Sequence, residues 1–254
     1  MQQNDDQMSH SDEVLKQMVS KVKGNSLQGL KTLVVFDLDS TLFDVSPRLQ
    51  KILDHYYEQP HHHEKFPEYT KFFKDIKAEK KDWGIKKAIL RTGIAEVSEE
   101  FIESVREFWR KHFFSNDYLE YDHVAEGAVE FVTELHRDGA DIAYLTGRDV
   151  ERMGEGSARI LKKWGFPLGE RAELVLKPHR SMDDVEYKEG WFKNLNAKNY
   201  ESVWFFENEP TIIHQVRATL PWVNIVFFDS THSGKAEAPT NLPTVQHFDW
   251  KDKK

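Results

Sequence analysis

Asp37-Leu38-Asp39 follows directly on the apolar run Leu33-Val34-Val35-Phe36, and Ser40-Thr41-Leu42-Phe43-Asp44 comes after it. Two carboxylates two residues apart at the exit of a buried strand reach one crevice only where the backbone has stopped being a regular strand. Brought together their charges repel, and a cation between them is the physical remedy. A hard, oxygen-seeking ion such as Mg²⁺ suits such a pair and would carry a phosphate oxygen to the same spot. Asp37 could then attack phosphorus to give a phospho-aspartate, while Asp39 protonates the leaving oxygen and later activates water. The bland alternative is that the two aspartates merely cap a turn.

The elements that must position this pair recur along the chain. Four further apolar runs, at 142–145, 174–176, 203–206 and 223–228, lack polar alternation, as strands buried on both faces do. Helical patterns separate them at 127–137, 149–164, 185–195 and 211–218. Alternation of this kind predicts an α/β fold: a Rossmann-like, three-layer parallel sheet whose ligands bind beyond the carboxyl ends of the strands. Upstream, Ser11-Asp12-Glu13 opens a helical pattern through Val14, Met18 and Val22 that is expected to end near Gly24.

One interval is too long for this scheme. Thr41 and Thr146 lie 105 residues apart, where a strand–helix–strand unit needs only about 30. The excess reads as helical: Ser46-Pro47 resembles a helix start, Phe66, Tyr69, Phe73 and Ile76 recur at helical spacing, and Ser98-Glu99-Glu100-Phe101 opens another helix. The expected organisation is an N-terminal helical extension at 1–30, an α/β core at 31–46 and 122–254, and an inserted helical module at 47–121 overhanging the site.

Asp37-Leu38-Asp39-Ser40-Thr41 resembles the first motif of the haloacid dehalogenase superfamily, most of whose members are Mg²⁺-dependent phosphatases. The resemblance implies that Asp37 is the nucleophile and Asp39 the general acid/base, both at the metal, with the Leu38 carbonyl facing the nucleophile's side. Ala143-Tyr144-Leu145-Thr146-Gly147-Arg148 is similar to the second motif. There the Thr146 hydroxyl and Gly147 amide would hold a phosphate oxygen, and Arg148 would add a bidentate contact. For the motif lysine two residues compete. Lys177 ends the strand-like 174–176; Lys188 lies in Asp183-Asp184-Val185-Glu186-Tyr187-Lys188, which resembles the acid phosphatase and polynucleotide phosphatase branch and makes Lys188 the preferred one. In the fourth motif the family's paired acids are replaced by Glu207-Asn208-Glu209. Asn208 falls on the metal-ligand position, with Glu207 or Glu209 left to supply the missing carboxylate directly or through water.

Composition bounds these readings. With 35 Lys+Arg against 43 Asp+Glu the net charge is −8, which disfavours nucleic acid and anionic membranes as partners without excluding nucleic acid. No run reaches the roughly 18 apolar residues of a membrane span. The absence of cysteine rules out thiolate chemistry, and together with the polar first 30 residues it fits a cytoplasmic protein. Walker, serine-hydrolase and HExxH signatures are missing. Residues 65–91 carry nine basic against four acidic side chains, read chiefly as the solvated face of amphipathic helices. His61, His62 and His63 are consecutive and would diverge, so they are not read as a metal site. The expected partner is a small phosphorylated substrate, hydrolysed through an aspartyl-phosphate. The alternatives are a catalytically weakened phosphate-ligand binding protein on the same fold and a nucleic-acid 3′-end phosphatase.

Overall fold

A computed structural model describes residues 2–70, 72–92 and 97–251. The chain opens with α1 (Gln2–Leu27), β1 (Thr32–Phe36) and β2 (Phe43–Asp44). A helical stretch follows: α2 (Ser46–Glu58), α3 (Pro60–Lys65), α4 (Pro67–Thr70), α5 (Ile85–Leu90) and α6 (Glu99–Phe113). The chain returns through β3 (His123–Val124), α7 (Ala128–Arg137), β4 (Asp141–Asp149), α8 (Val150–Trp164) and β5 (Ala172–Lys177). It ends with α9 (Asp184–Asn194), β6 (Ser202–Glu207), α10 (Pro210–Thr219), β7 (Val223–Phe228) and β8 (Thr244–Val245).

Six strands form one sheet in the order β5-β4-β1-β6-β7-β8, every pairing parallel. Both faces are covered, which is why the strands carry consecutive apolar residues rather than alternating ones, with Glu173 of β5 and Asn224 of β7 exposed. Val34, Phe36, Ile142, Tyr144 and Phe206 face a core shared with α1, α7 and α8. Leu33, Val35, Ala143, Leu145 and Phe205 face the opposite core, shared with α9 and α10. Phe36 and Phe206 stack across adjacent strands at 4.9 Å, tying β1 to β6 where both deliver site residues.

Two details differ from the sequence expectation. α1 extends from Gln2 to Leu27, passing through Gly24 and burying Ser11 in its middle. Its end is set by Gly29, whose φ of 72° lets the chain fold back so that the Leu30 amide donates to the Asn25 carbonyl at 2.9 Å. Leu15, Met18 and Val22 pack into the first core, so α1 forms part of a layer. The last strand, β8, has two residues, too few to leave a pattern.

Between β2 and β3, which pair antiparallel, the insertion builds a core of its own. Leu49, Leu53, Tyr56, Phe101 and Val105 are buried there, on the facing sides of α2 and α6, together with Phe73 from the segment between them. α6 is capped at its start by the Ser98 hydroxyl, which accepts from the Phe101 amide. Much of the basic stretch is paired within the insertion: Arg91 with Asp82 and Glu79, Lys81 with Glu79, and Lys65 with Glu100. His62 is buried against the ring of Tyr56 at 3.6 Å. Burial first, then the neighbouring basic side chains His61, His63 and Lys65, pushes its pKa down to about 4, so it sits neutral in that core. Among the described residues no helix is long and apolar enough to cross a membrane.

Phe101 is fully buried where α2 and α6 meet. Phe101→Ala should cost about 3–5 kcal/mol. Hydrogen exchange should report the loss first in α2 and α6; loss appearing first in the central strands would contradict the insertion's having a separate core.

Candidate active site

All strands being parallel, their carboxyl ends share one edge, where Asp37, Thr146 and Glu207 emerge. The Asp37 amide still donates to the Phe206 carbonyl at 3.0 Å, so the residue is anchored in the sheet. Immediately beyond, the chain turns. The amides of Thr41 and Phe43 donate to the Leu38 carbonyl at 3.2 and 2.9 Å, and Ser40 takes a left-handed φ of 63°. The turn brings Asp39 beside Asp37 on the wall of a cavity of about 330 Å³, lined also by Thr146, Gly147, Lys188 and Asn208. The Leu38 carbonyl is engaged inside this turn, contrary to the expected orientation toward the site.

Lys188 sits at the centre. Its buried ammonium donates to Asp37 Oδ1 at 2.5 Å and to Glu207 Oε2 at 2.6 Å. Burial opposes its charge, but the two carboxylates outweigh this and raise its pKa, so it remains a cation. One ammonium shared by two buried carboxylates leaves a negative charge uncompensated. Accordingly burial, only partly countered by Lys188 and reinforced by Glu207, pushes Asp37 up to about 8.

Lys177, the competing lysine, stands elsewhere. Its ammonium donates to Asp184 Oδ1 at 2.5 Å and to the Met182 carbonyl at 3.0 Å. It thereby fixes the first turn of α9, one turn before Lys188, and makes no contact with Asp37. Asp184 in turn lies over Gly147, where a Cβ would fall 2.8 Å from its Oδ2. A larger residue there would push the Asp184 carboxylate from its place beside Lys177.

Arg148 also departs from the expectation. Rather than waiting for phosphate, its buried guanidinium donates to Asp39 Oδ1 from Nη2 at 2.5 Å and from Nε at 3.2 Å. It donates further to Asp122 Oδ2 at 2.8 Å and to the Ser157 hydroxyl at 3.3 Å. Arg48, from the first turn of α2, joins it: Nη2 donates to Asp39 Oδ1 at 2.6 Å, and Nε and Nη2 hold Asp122 at 2.7 and 2.9 Å. Arg48, Arg148 and Asp122 are almost wholly buried, whereas the Asp39 side chain is 31% exposed. Burial raises the pKa of Asp39, but Arg148 and Arg48 overcome it and hold this carboxylate well below the ordinary range. For Asp122 burial prevails over the same two arginines and the shift is upward. Sequence reasoning missed Arg48 and Asp122, since a lone arginine or aspartate is ordinarily a surface residue.

The fourth-motif residues divide their tasks. Glu207 Oε1 accepts the Asn208 and Glu209 amides, both at 2.9 Å, while Oε2 carries Lys188, so this carboxylate is committed to the protein. Glu209 accepts from the Ser233 hydroxyl at 2.7 Å, its amide at 2.9 Å and the Thr211 hydroxyl at 3.1 Å, tying down the 231–235 loop. Asn208 donates to the Thr231 carbonyl at 2.6 Å, and its Oδ1 accepts from Thr41 at 3.2 Å. The Thr146 hydroxyl accepts from the Arg148 amide at 3.2 Å and keeps its proton for a ligand.

These residues suit a sparsely held divalent cation. Once Asp37 is ionised, four carboxylates (Asp37, Asp39, Asp122, Glu207) face three cations (Lys188, Arg48, Arg148), leaving one negative charge in excess. Asp37 and the Asn208 amide oxygen line the same cavity. Among the described residues no group of three His, Cys, Asp or Glu could hold a metal ion, so most ligands would be water and substrate, as Mg²⁺ commonly accepts.

Asp122 is the shared counter-ion of two buried guanidiniums. Asp122→Ala should therefore destabilise the protein by about 3–5 kcal/mol in denaturant unfolding. A change below 1 kcal/mol would show that water replaces it without loss.

The chain matches the family described as haloacid dehalogenase-like hydrolase over residues 31–219. No curated protein matches it. Solved structures similar to it include Protein Tyrosine Kinase A of Mycobacterium tuberculosis, at 16% identity, covering 86% of this chain and 94% of that one, with a TM-score of 0.50. Another is a haloacid dehalogenase superfamily hydrolase, subfamily IA, variant 1, of Geobacter sulfurreducens PCA, at 12% identity, covering 85% and 92%, with a TM-score of 0.48. At 16% identity the likeness to the first of these is one of fold alone. Since the family match spans most of the sequence, from β1 through α10, this chain belongs to the haloacid dehalogenase-like hydrolases.

Proposed function

We propose that this hydrolase is a Mg²⁺-dependent phosphomonoester phosphatase acting through a phospho-aspartate on Asp37. The observation that carries the reading is the buried Lys188 between Asp37 and Glu207. It fixes one oxygen of Asp37, and Asp37 lines the same cavity as Thr146 and Gly147. A phosphate entering there meets the Lys188 ammonium, the Thr146 hydroxyl and the Gly147 amide, donors already in place for charge on the transferring group.

Asp37 attacks phosphorus, the ester P–O bond breaks, and the alcohol leaves with a proton from Asp39, which Asp39 takes up from the monoanionic phosphate ester as the substrate binds. Water, surrendering a proton to Asp39, then hydrolyses the acyl phosphate and restores the Asp37 carboxylate. Asp37 and Asn208 would hold Mg²⁺, which would neutralise phosphate oxygens. The insertion, which contributes Leu49, Trp109 and Phe113 to the cavity wall, acts as a cap that limits water. A second reading, a phosphate-ligand binder of low turnover, is favoured by one observation: both arginines hold Asp39 as an anion, without a proton to donate.

Incubation with an aryl phosphate and Mg²⁺ should give hydrolysis that Asp37→Asn lowers by on the order of 10³-fold or more. Equal rates for the two proteins would remove the catalytic claim. Because Asp37 is pushed up to about 8, it carries its proton at pH 7 and must lose it when a divalent cation binds. Mg²⁺ affinity should therefore rise with pH up to about 8 and then level. Calorimetry at pH 7 in buffers of differing ionisation enthalpy should show about one proton released per ion; no release would mean that Asp37 is not the ligand.

A further inference from the structure

One wall of the cavity is aromatic. Trp109 and Phe113 end α6 and Phe114 follows it, giving three adjoining rings: 4.9 Å between Trp109 and Phe113, 5.6 Å between Trp109 and Phe114, and 5.2 Å between Phe113 and Phe114. All three line the cavity and are only partly buried. Trp83 adds a fourth lining ring on the solvent side, 51% exposed. Apolar area left open in a cavity is unfavourable unless something covers it.

Arg48 sets the distance between this wall and the reacting end. The guanidinium that bonds Asp39 at 2.6 Å also donates to the Phe113 carbonyl at 3.1 Å and lies 4.2 Å from the centre of the Phe113 ring. The wall thus begins one guanidinium away from the carboxylate that serves the leaving oxygen. Away from Lys188 and Arg148 the cavity lining carries Asp82, Asp183, Asp184 and Glu209 against one further cation, Lys235, which favours an uncharged alcohol over one with a second anionic group. A volume of about 330 Å³ lies at the small end for ligand cavities. It suits one ring system and its phosphate, not a chain of nucleotides.

We propose that the substrate is a phosphomonoester whose uncharged alcohol carries a planar aromatic ring close to the ester oxygen, stacked on the Trp109–Phe113–Phe114 wall. This specificity rests on the phosphatase reading above, because it takes the phosphate end to lie at Asp37. Offset or edge-on ring contacts favour an aromatic group over an alkyl group of equal area.

Phosphonates, whose C–P bond resists hydrolysis, test the ring site without turnover. Calorimetry on the unsubstituted protein with Mg²⁺ should show phenylphosphonate binding about tenfold or more tightly than hexylphosphonate or 2-hydroxyethylphosphonate, with quenching of tryptophan fluorescence. Phe113→Leu and Phe114→Leu, each of which removes one ring of the wall and keeps an apolar side chain, should reduce that preference several-fold. Equal affinities for phenyl and hexyl compounds, or a preference unchanged in both folded variants, would overturn the proposal. Phenyl phosphate should be turned over in preference to a nucleoside 5′-monophosphate, whose ribose holds the ring away from the ester oxygen; the reverse order would overturn the proposal. Selective binding of phenylphosphonate with no turnover of any phosphomonoester would overturn the phosphatase reading and leave the aromatic site standing.

Discussion

A buried ammonium bridging two buried carboxylates is the constraint around which the molecule is organised. Lys188 comes from α9, Asp37 from the end of β1 and Glu207 from the end of β6. An ion removed from water this completely is tolerable only with near-ideal partners. The helix must dock on the sheet in one position, and both strands must end at the same level. Several neighbouring features serve that demand. Lys177 fixes the start of α9 through Asp184, Gly147 leaves room for Asp184, and the amides of Asn208 and Glu209 occupy the far oxygen of Glu207.

A second ionic cluster stands beside the first and reaches across the boundary between core and insertion. Arg48 belongs to the insertion's first helix, Asp122 to the segment returning to the core, Asp39 to the turn after β1, and Arg148 to the end of β4. Because the four charges bond one another, the roof of the cavity cannot shift without disturbing the carboxylate beneath it. This couples an aromatic wall, which has no chemistry of its own, to the position of Asp39. Between the two clusters the site carries one excess negative charge once Asp37 loses its proton, which a bound cation would balance.

The insertion shows how a long detour is accommodated without weakening the sheet. β2 and β3 pair antiparallel at its base, so the chain leaves and re-enters the core at one point. The apolar faces of α2 and α6 then close on each other, and few of their large side chains depend on the sheet. The aromatic residues nearest the base are left partly uncovered, and these face the site.

Strand positions were legible in the sequence because burial on both faces writes itself into consecutive residues: all five apolar runs lie in the parallel sheet. Asp37, Asp39, Thr146 and Asn208 were legible for a related reason, since strand ends in a parallel sheet share an edge whatever the connections between them. The sequence already preferred Lys188 to Lys177, but the bridging of Asp37 and Glu207 by Lys188, the commitment of Glu207 to the protein, the diversion of Arg148 to Asp39, and the presence of Arg48 and Asp122 were decided only by tertiary structure. Each depends on an ion pair, and several of these join residues far apart in the chain, such as Asp37 with Lys188 and Arg48 with Asp122. Hydrophobic burial leaves a local periodic trace along the chain. A charge pair between distant segments leaves none, because its partner is chosen by how the packed layers bring the segments together.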